Sequence, residues 1–116
     1  MYIEEVTMTQ VVNAQPPKFE WRVYRNDTST LTIAALNNDG SQFDLTGYEF
    51  TGYVREYPQG DVLTNLNIEH QDNIITIGLD TSELPSMCYF DVESIKDGVI
   101  KTILYGTVFV EDDITW

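Results

Sequence analysis

Apolar and polar residues alternate along most of this chain with a period of two, and clusters of Gly, Pro, Asn and Asp interrupt the alternation about every ten residues. That rhythm predicts short β-strands joined by turns, as in a sandwich or barrel, with almost no helical periodicity. In "FEWRV", Phe19, Trp21 and Val23 share a face, and "TLTIA" repeats the pattern with Leu31, Ile33 and Ala35. "NNDG" (Asn37 to Gly40) follows with residues that tolerate positive φ and closes a turn. "DLTGYEFTGYVREY" (Asp44 to Tyr57) sends Tyr48, Phe50 and Val54 to one side and Tyr53, Arg55 and Tyr57 to the other.

Pro58 and Gly60 in "YPQGD" break that strand and return the chain. "DVLTNLNI" predicts a strand with Val62, Leu66 and Ile68 on one side, "HQDN" a turn, and "IITIGL" a strand with Ile75, Ile77 and Leu79 inward. "DTSELP" (Asp80 to Pro85) reads as an irregular crossover between sheets: Asp80 or Ser82 can accept backbone N–H bonds, and Pro85 stops any helix. "MCYFDVESI" then puts Cys88, Phe90 and Val92 inward, and "KDG" makes a tight hairpin turn. In the long final run "VIKTILYGTVFVED", Ile100, Leu104, Val108 and Val110 share the inward phase. Gly106 in that phase marks a bulge or a close backbone approach. The opposite face carries Ile103, Tyr105 and Phe109, more apolar than a solvated sheet face requires.

The 116 residues suit one domain, divided into residues 1–17 and a sandwich over 18–116. Pro16 and Pro17 separate the two, because neither can donate to a sheet ladder. Residues 1–17 are either a first strand kinked so that it switches sheets, or an extended arm that docks on a neighbouring subunit with Tyr2, Val6, Met8 and Val12 as its buried face.

Charge narrows the functions. Six basic against nineteen acidic residues give a formal net charge of −13, which repels nucleic-acid backbones and anionic membranes, so neither is an expected partner. An apolar content of 42% is still enough to drive folding. The single cysteine, Cys88, leaves no intramolecular disulfide and no cysteine-based zinc cluster. The N-terminus lacks a basic region followed by an apolar run, and no segment approaches the ~20 apolar residues of a membrane span, so folding in a cytoplasm is the expectation.

Candidate chemistry is sparse. His70, the one histidine, falls in the predicted turn "HQDN", and there is no Gly-x-Ser-x-Gly elbow. Cys88 sits in an inward phase with no cation beside it in sequence. Carboxylate pairs such as Asp91/Glu93 or Glu4/Glu5 arise by chance in so acidic a chain, and neither "VEDD" nor "NNDG" has the ligand spacing of an EF-hand loop. No phosphate-binding glycine loop is present, so no catalytic residue, metal or cofactor is assigned. What remains is aromatic: Tyr53, Tyr57, Tyr105, Phe109 and Trp116 fall outside the predicted core phase. Such residues anchor protein interfaces, stack on sugars, or lie under a second sheet.

Four segments together resemble a known pattern: "YRNDTSTLTI", "FDLTGYEFTGYVRE", "LPSMCYFDVES" and "ILYGTVFVEDDIT". Over roughly residues 19–115 the chain resembles the N-terminal β-sandwich domain of bacteriophage upper baseplate proteins and related small Ig-like tail and head-fibre modules. It departs from them at Met87 and Cys88, where family members often carry glycine. The resemblance implies an all-β, Ig-like antiparallel β-sandwich with an N-terminal extended arm, and a non-enzymatic virion protein assembled in the host cytoplasm. Baseplate or tail-fibre adaptor and capsid or head-fibre decoration are the roles it implies, with other virion proteins as partners and a homo-oligomer as the expected state. Upper baseplate proteins continue into fibre-forming regions, so a chain ending at Trp116 would be the module alone. On this reading the interface residues are Tyr2, Val6, Met8, Val12, Tyr53, Tyr57, Ile103, Tyr105, Phe109 and Trp116. A carbohydrate-binding module that recognises a host-surface glycan is the alternative.

Overall fold

The computed structural model describes residues 2–5, 18–27 and 29–112. These form strands β1 (Tyr2–Glu5), β2 (Lys18–Tyr24), β3 (Ser29–Leu36), β4 (Glu49–Arg55), β5 (Val62–Asn65), β6 (Asn67–Gln71), β7 (Ile74–Leu79), β8 (Met87–Lys96) and β9 (Val99–Glu111). They build two sheets, one in the order β1-β3-β7-β6 and one in the order β2-β9-β8-β4-β5. Every neighbouring pair is antiparallel except β2 and β9, which run parallel. Four strands facing a sheet centred on β9-β8-β4 is the arrangement of an immunoglobulin sandwich, with β2 and β5 added at the edges.

The alternation explains the core. Ile33, Ala35, Ile75 and Ile77 of the first sheet and Val54, Cys88, Val92, Leu104 and Val108 of the second are all 0% exposed. Burying each large aliphatic side chain contributes about 1.5–3 kcal/mol relative to leaving it in water. Trp21 ties the layers together: its ring meets Phe90 edge-on with centroids 5.4 Å apart, and its Nε1–H donates to Ser29 Oγ at 2.9 Å. Residues 2–5 pair with β3 of their own chain, and Ile3 is buried in the core.

Arg25 pins the crossover that follows β7. Its Nη1–H groups donate to the carbonyls of Leu84 (2.6 Å) and Thr81 (3.3 Å), and its Nε pairs with Asp112 at 2.5 Å. The Asn26 N–H donates to buried Thr81 Oγ1, and Ser82 N–H to Asp80 Oδ1. The hairpin turn at Asp97 and Gly98 has φ of 52° and 77°, the left-handed pair of a type I′ turn. At Gly106 the reason for glycine is close approach: an added Cβ would lie 1.9 Å from the Phe19 carbonyl oxygen of β2.

Three expectations from the pattern are corrected. The turn assigned to "HQDN" is displaced: His70 lies within β6, and Asp72 (φ 55°) and Asn73 make the turn instead. Asn73 holds it there, buried and donating through Nδ2 to the Ala35 carbonyl at 3.0 Å. The run "DVLTNLNI" is two strands on different sheets, with Leu66 buried where the chain changes sheet and an irregularity opposite Val54/Arg55, so Val62 does not share the inward phase of Leu66. Finally, the pairing of β8 with β9 shifts between Val92 and Glu93, which leaves Ile103 as an extra residue on β9. One extra residue reverses the phase of everything beyond it. Ile103 is therefore 7% exposed and belongs to the core, whereas Ile100 is 62% exposed.

Candidate functional site

The two outer faces of the sandwich differ in composition. On the first sheet the outward positions are Thr30, Thr32 and Ala34 of β3, Ile74, Thr76 and Gly78 of β7, and Asn67, Glu69 and Gln71 of β6. Most are small or polar, Ile74 and, at the end of β3, Leu36 being the large apolar exceptions, and none of these is aromatic. On the second sheet the pairing aligns Tyr53, Asp91 and Tyr105 in one cross-strand row, and Arg55, Tyr89 and Thr107 in the next. Met87 and Phe109 are partners beyond these, with Arg22 of β2 beside Phe109.

Cations organise this face. The Arg22 guanidinium lies over the Phe109 ring, 4.4 Å from its centroid, and that of Arg55 lies 5.2 Å from the centroid of Tyr53. Arg55 also donates through Nη1 to the Gly60 carbonyl at 3.0 Å, which ties β4 to the turn that follows it, and its Nε stands 3.5 Å from Asp91 Oδ1. The two atoms form an ion pair shielded from solvent, too long for a close hydrogen bond. Beside them opens a cleft of about 320 Å³ lined by Arg55, Pro58, Gln59, Tyr89, Asp91 and Tyr105.

Of the residues the sequence marks as interface, Tyr53, Tyr105 and Phe109 are gathered on this one face. Tyr105 is 42% exposed and Tyr57, on the turn beside the cleft, 64% exposed. Ile103 does not join them, being a core residue for the reason given above. Tyr2 lies on β1, at the edge of the other sheet, and Val6, Met8, Val12 and Trp116 fall outside the described residues. Asp91, Tyr89 and Met87 share the face: the alternation turns them outward but does not single them out as interface residues. Asp91 and Arg55 share an outward phase, but their meeting depends on β4 and β8 being neighbours.

Nucleophilic chemistry finds little here. Cys88 is fully buried and burial pushes its thiol up to about 11, so the thiolate is suppressed. His70 is exposed on β6 with its ring edge-on to Phe50 at 5.2 Å, at the end of an aromatic series that continues through Tyr48 to Phe43. Among the described residues no three His, Cys, Asp or Glu side chains come together as a metal site. The Asp39, Asp44 and Asp80 carboxyls are held below the ordinary carboxylate range, chiefly by hydrogen bonds to the hydroxyls of Ser41 and Thr46 and the backbone N–H of Ser82 respectively. These are turn-closing contacts on exposed loops.

No protein-family model matches the sequence, and no curated protein matches it. Solved structures do resemble the fold. A chimeric titin Z1Z2 functionalised with an exogenous decorin peptide aligns over 97% of this chain and 97% of its own, with 13% identity and a TM-score of 0.53. The titin M10–obscurin-like 1 immunoglobulin complex aligns over 99% of this chain and 98% of its own, with 9% identity and a TM-score of 0.53. Titin M4 covers 81% of this chain and 90% of its own, at 10% identity and a TM-score of 0.53. At such identities the likeness speaks for the fold alone. The chain folds as an all-β, immunoglobulin-like sandwich of two sheets.

Proposed function

We propose that this chain is a non-enzymatic structural module of a bacteriophage virion that assembles through the outer face of its five-stranded sheet. The observation that carries the reading is the one-sided placement of Tyr53, Tyr89, Tyr105, Phe109 and Met87 against a threonine-rich face opposite. Tyr, Phe, Met and Arg are the residues enriched where protein interfaces are fully desolvated. The outward phase of this face carries Lys18, Arg22 and Arg55 among the carboxylates of Glu20, Glu49, Asp91, Glu93 and Glu111, and ~0.15 M salt screens charges farther apart than about 8 Å. The virion assignment rests on the sequence resemblance to baseplate and head-fibre modules, and places the chain as an adaptor or decoration subunit among other virion proteins.

The test is solution mass by light scattering after size exclusion, over a hundredfold range of concentration, for the wild type and for Met87→Glu. Met87 is 48% exposed beside Phe109, so the substitution leaves the core intact while placing a charge in the apolar face. A defined oligomer that Met87→Glu weakens at least about tenfold is the expected result. An oligomer unaffected by Met87→Glu moves the interface elsewhere, and a monomer at every concentration overturns self-assembly.

A further inference from the structure

We infer that the cleft between the loop after β3 and the β6–β7 turn binds a small organic cation through its ammonium or guanidinium group. The site is separate from the outer face of the five-stranded sheet, so the inference does not rest on the assembly reading. The cleft, of about 450 Å³, is walled by Phe43, Asp44 and Thr46 from the loop and by His70, Asp72 and Asn73 from the other side. Asn73 points to a ligand. It is 6% exposed and its Nδ2 is committed to the Ala35 carbonyl at 3.0 Å, while among the described residues no donor reaches its Oδ1. That oxygen is not one of the unpaired atoms sealed from solvent, so a group entering the cleft can reach it. A buried acceptor without a donor is a cost to the fold that a donating ligand removes.

The remaining side chains narrow the ligand's chemistry, because most of them offer acceptors. Thr46 gives its hydroxyl proton to Asp44 Oδ1 at 2.6 Å, so what it turns to a ligand is oxygen. That same bond holds the Asp44 carboxyl below the ordinary carboxylate range, which keeps it charged at neutral pH. Asp72, in its turn at φ 55°, adds a second carboxylate. Gln42 and His70 are the side chains of the wall that keep a donor. A ligand matched to this wall donates at several points, accepts at few and carries positive charge. Ammonium and guanidinium groups have donors and no acceptor, and their bonds to carboxylates are the strong, charge-assisted kind. Phe43 adds an aromatic wall, which attracts a cation over its face. The fold makes that contact next door, where Lys96 Nζ stands 4.8 Å from the centroid of Tyr48, the ring that Phe43 meets edge-on. Lys96 offsets part of the Asp44 charge from outside the wall, which leaves Asp72 as the stronger attraction.

The experiment is an amide NMR titration of the full chain in about 0.15 M salt, which screens diffuse attraction to the acidic surface. The probes are Nα-acetyl-arginine amide, Nα-acetyl-lysine amide and spermidine, with methyl glucoside as a neutral polyol. Saturable shifts are expected at residues 42–47 and 70–73 with the cations and not with the glucoside. Asp72→Asn, a residue that accepts the same positive φ, should weaken binding about tenfold, the worth of one charge-assisted hydrogen bond. Glu83→Gln removes an equal charge from the crossover at the other end of β7, and should change affinity by less than about twofold. Tighter binding of the blocked amino acids than of spermidine points to a basic side chain of a partner protein, and the reverse to a free polyamine. No saturable shift, shifts spread over the acidic surface, equal losses for Asp72→Asn and Glu83→Gln, or a glucoside that binds as well as the cations would each overturn the assignment.

Discussion

Gly106→Ala is the sharpest perturbation available, because the obstacle to a side chain there is backbone. The added Cβ would sit 1.9 Å from Phe19 O, 2.8 Å from Phe19 C and 3.0 Å from Phe19 N. An ordinary C···O contact is about 3.3–3.6 Å, so β2 must retreat by roughly 1.4 Å at that point. Such a retreat stretches hydrogen bonds of the β2–β9 ladder around the Phe19–Gly106 pair past bonding distance and lifts Phe19 from the core. Two lost bonds at about 1 kcal/mol each, added to the 1–3 kcal/mol of an overpacked core, give roughly 3–5 kcal/mol. For a domain of this size that lowers Tm by about 12–20 °C. Gly52→Ala is the internal comparison. Its Cβ would meet the Ile68 and Leu66 Cδ1 atoms at 2.8 Å, the ends of side chains that can rotate away, and Leu66 Cβ at 3.0 Å, which must give by a few tenths of an ångström, so a cost of about 1–3 kcal/mol is expected. Thermal and urea unfolding followed by circular dichroism measures both. A Gly106→Ala protein within about 3 °C of wild type, or one more stable than Gly52→Ala, would refute the close-approach reasoning.

Arg25→Ala should destabilise by about 2–3 kcal/mol in urea unfolding, mostly through the Leu84 and Thr81 carbonyls, since the Asp112 carboxylate is largely exposed. Arg25→Lys should recover less than half of that loss, because an ammonium cannot span both carbonyls in the guanidinium's fixed fork. The β9 irregularity predicts that Ile103→Ala costs about 2–4 kcal/mol while Ile100→Ala stays within ~0.5 kcal/mol; equal costs would place the phase reversal elsewhere. Cys88, with its thiol pushed up to about 11 by burial, should resist a thiol reagent until the chain unfolds. The raised folded value also means that its contribution is complete below the ordinary thiol range and is lost as pH rises from about 9 toward 11. A stability curve flat across that alkaline window, after correction for the same curve of Cys88→Ala, would contradict it.

The period-two pattern determined which side chains turn inward on β2, β3, β7 and β8. Phe19, Trp21 and Val23, then Leu31, Ile33 and Ala35, and then Cys88, Phe90 and Val92 are all buried as the alternation requires. Turns carried by residues that accept positive φ, such as Asp97–Gly98, were equally legible. A strand's two faces are a local property, because successive side chains point to opposite sides whatever lies next door. Which strand lies next door is not local. The sheet change at Leu66, the extra residue at Ile103 and the turn held by Asn73 all depend on pairing between distant segments, and each reversed or displaced a phase read from the sequence. The candidate site divides in the same way: the outward phase of Tyr53, Tyr105 and Phe109 was in the sequence. Only the placement of β4 beside β8, and β8 beside β9, brings Arg55 to Asp91 between two tyrosines and makes a cleft of them.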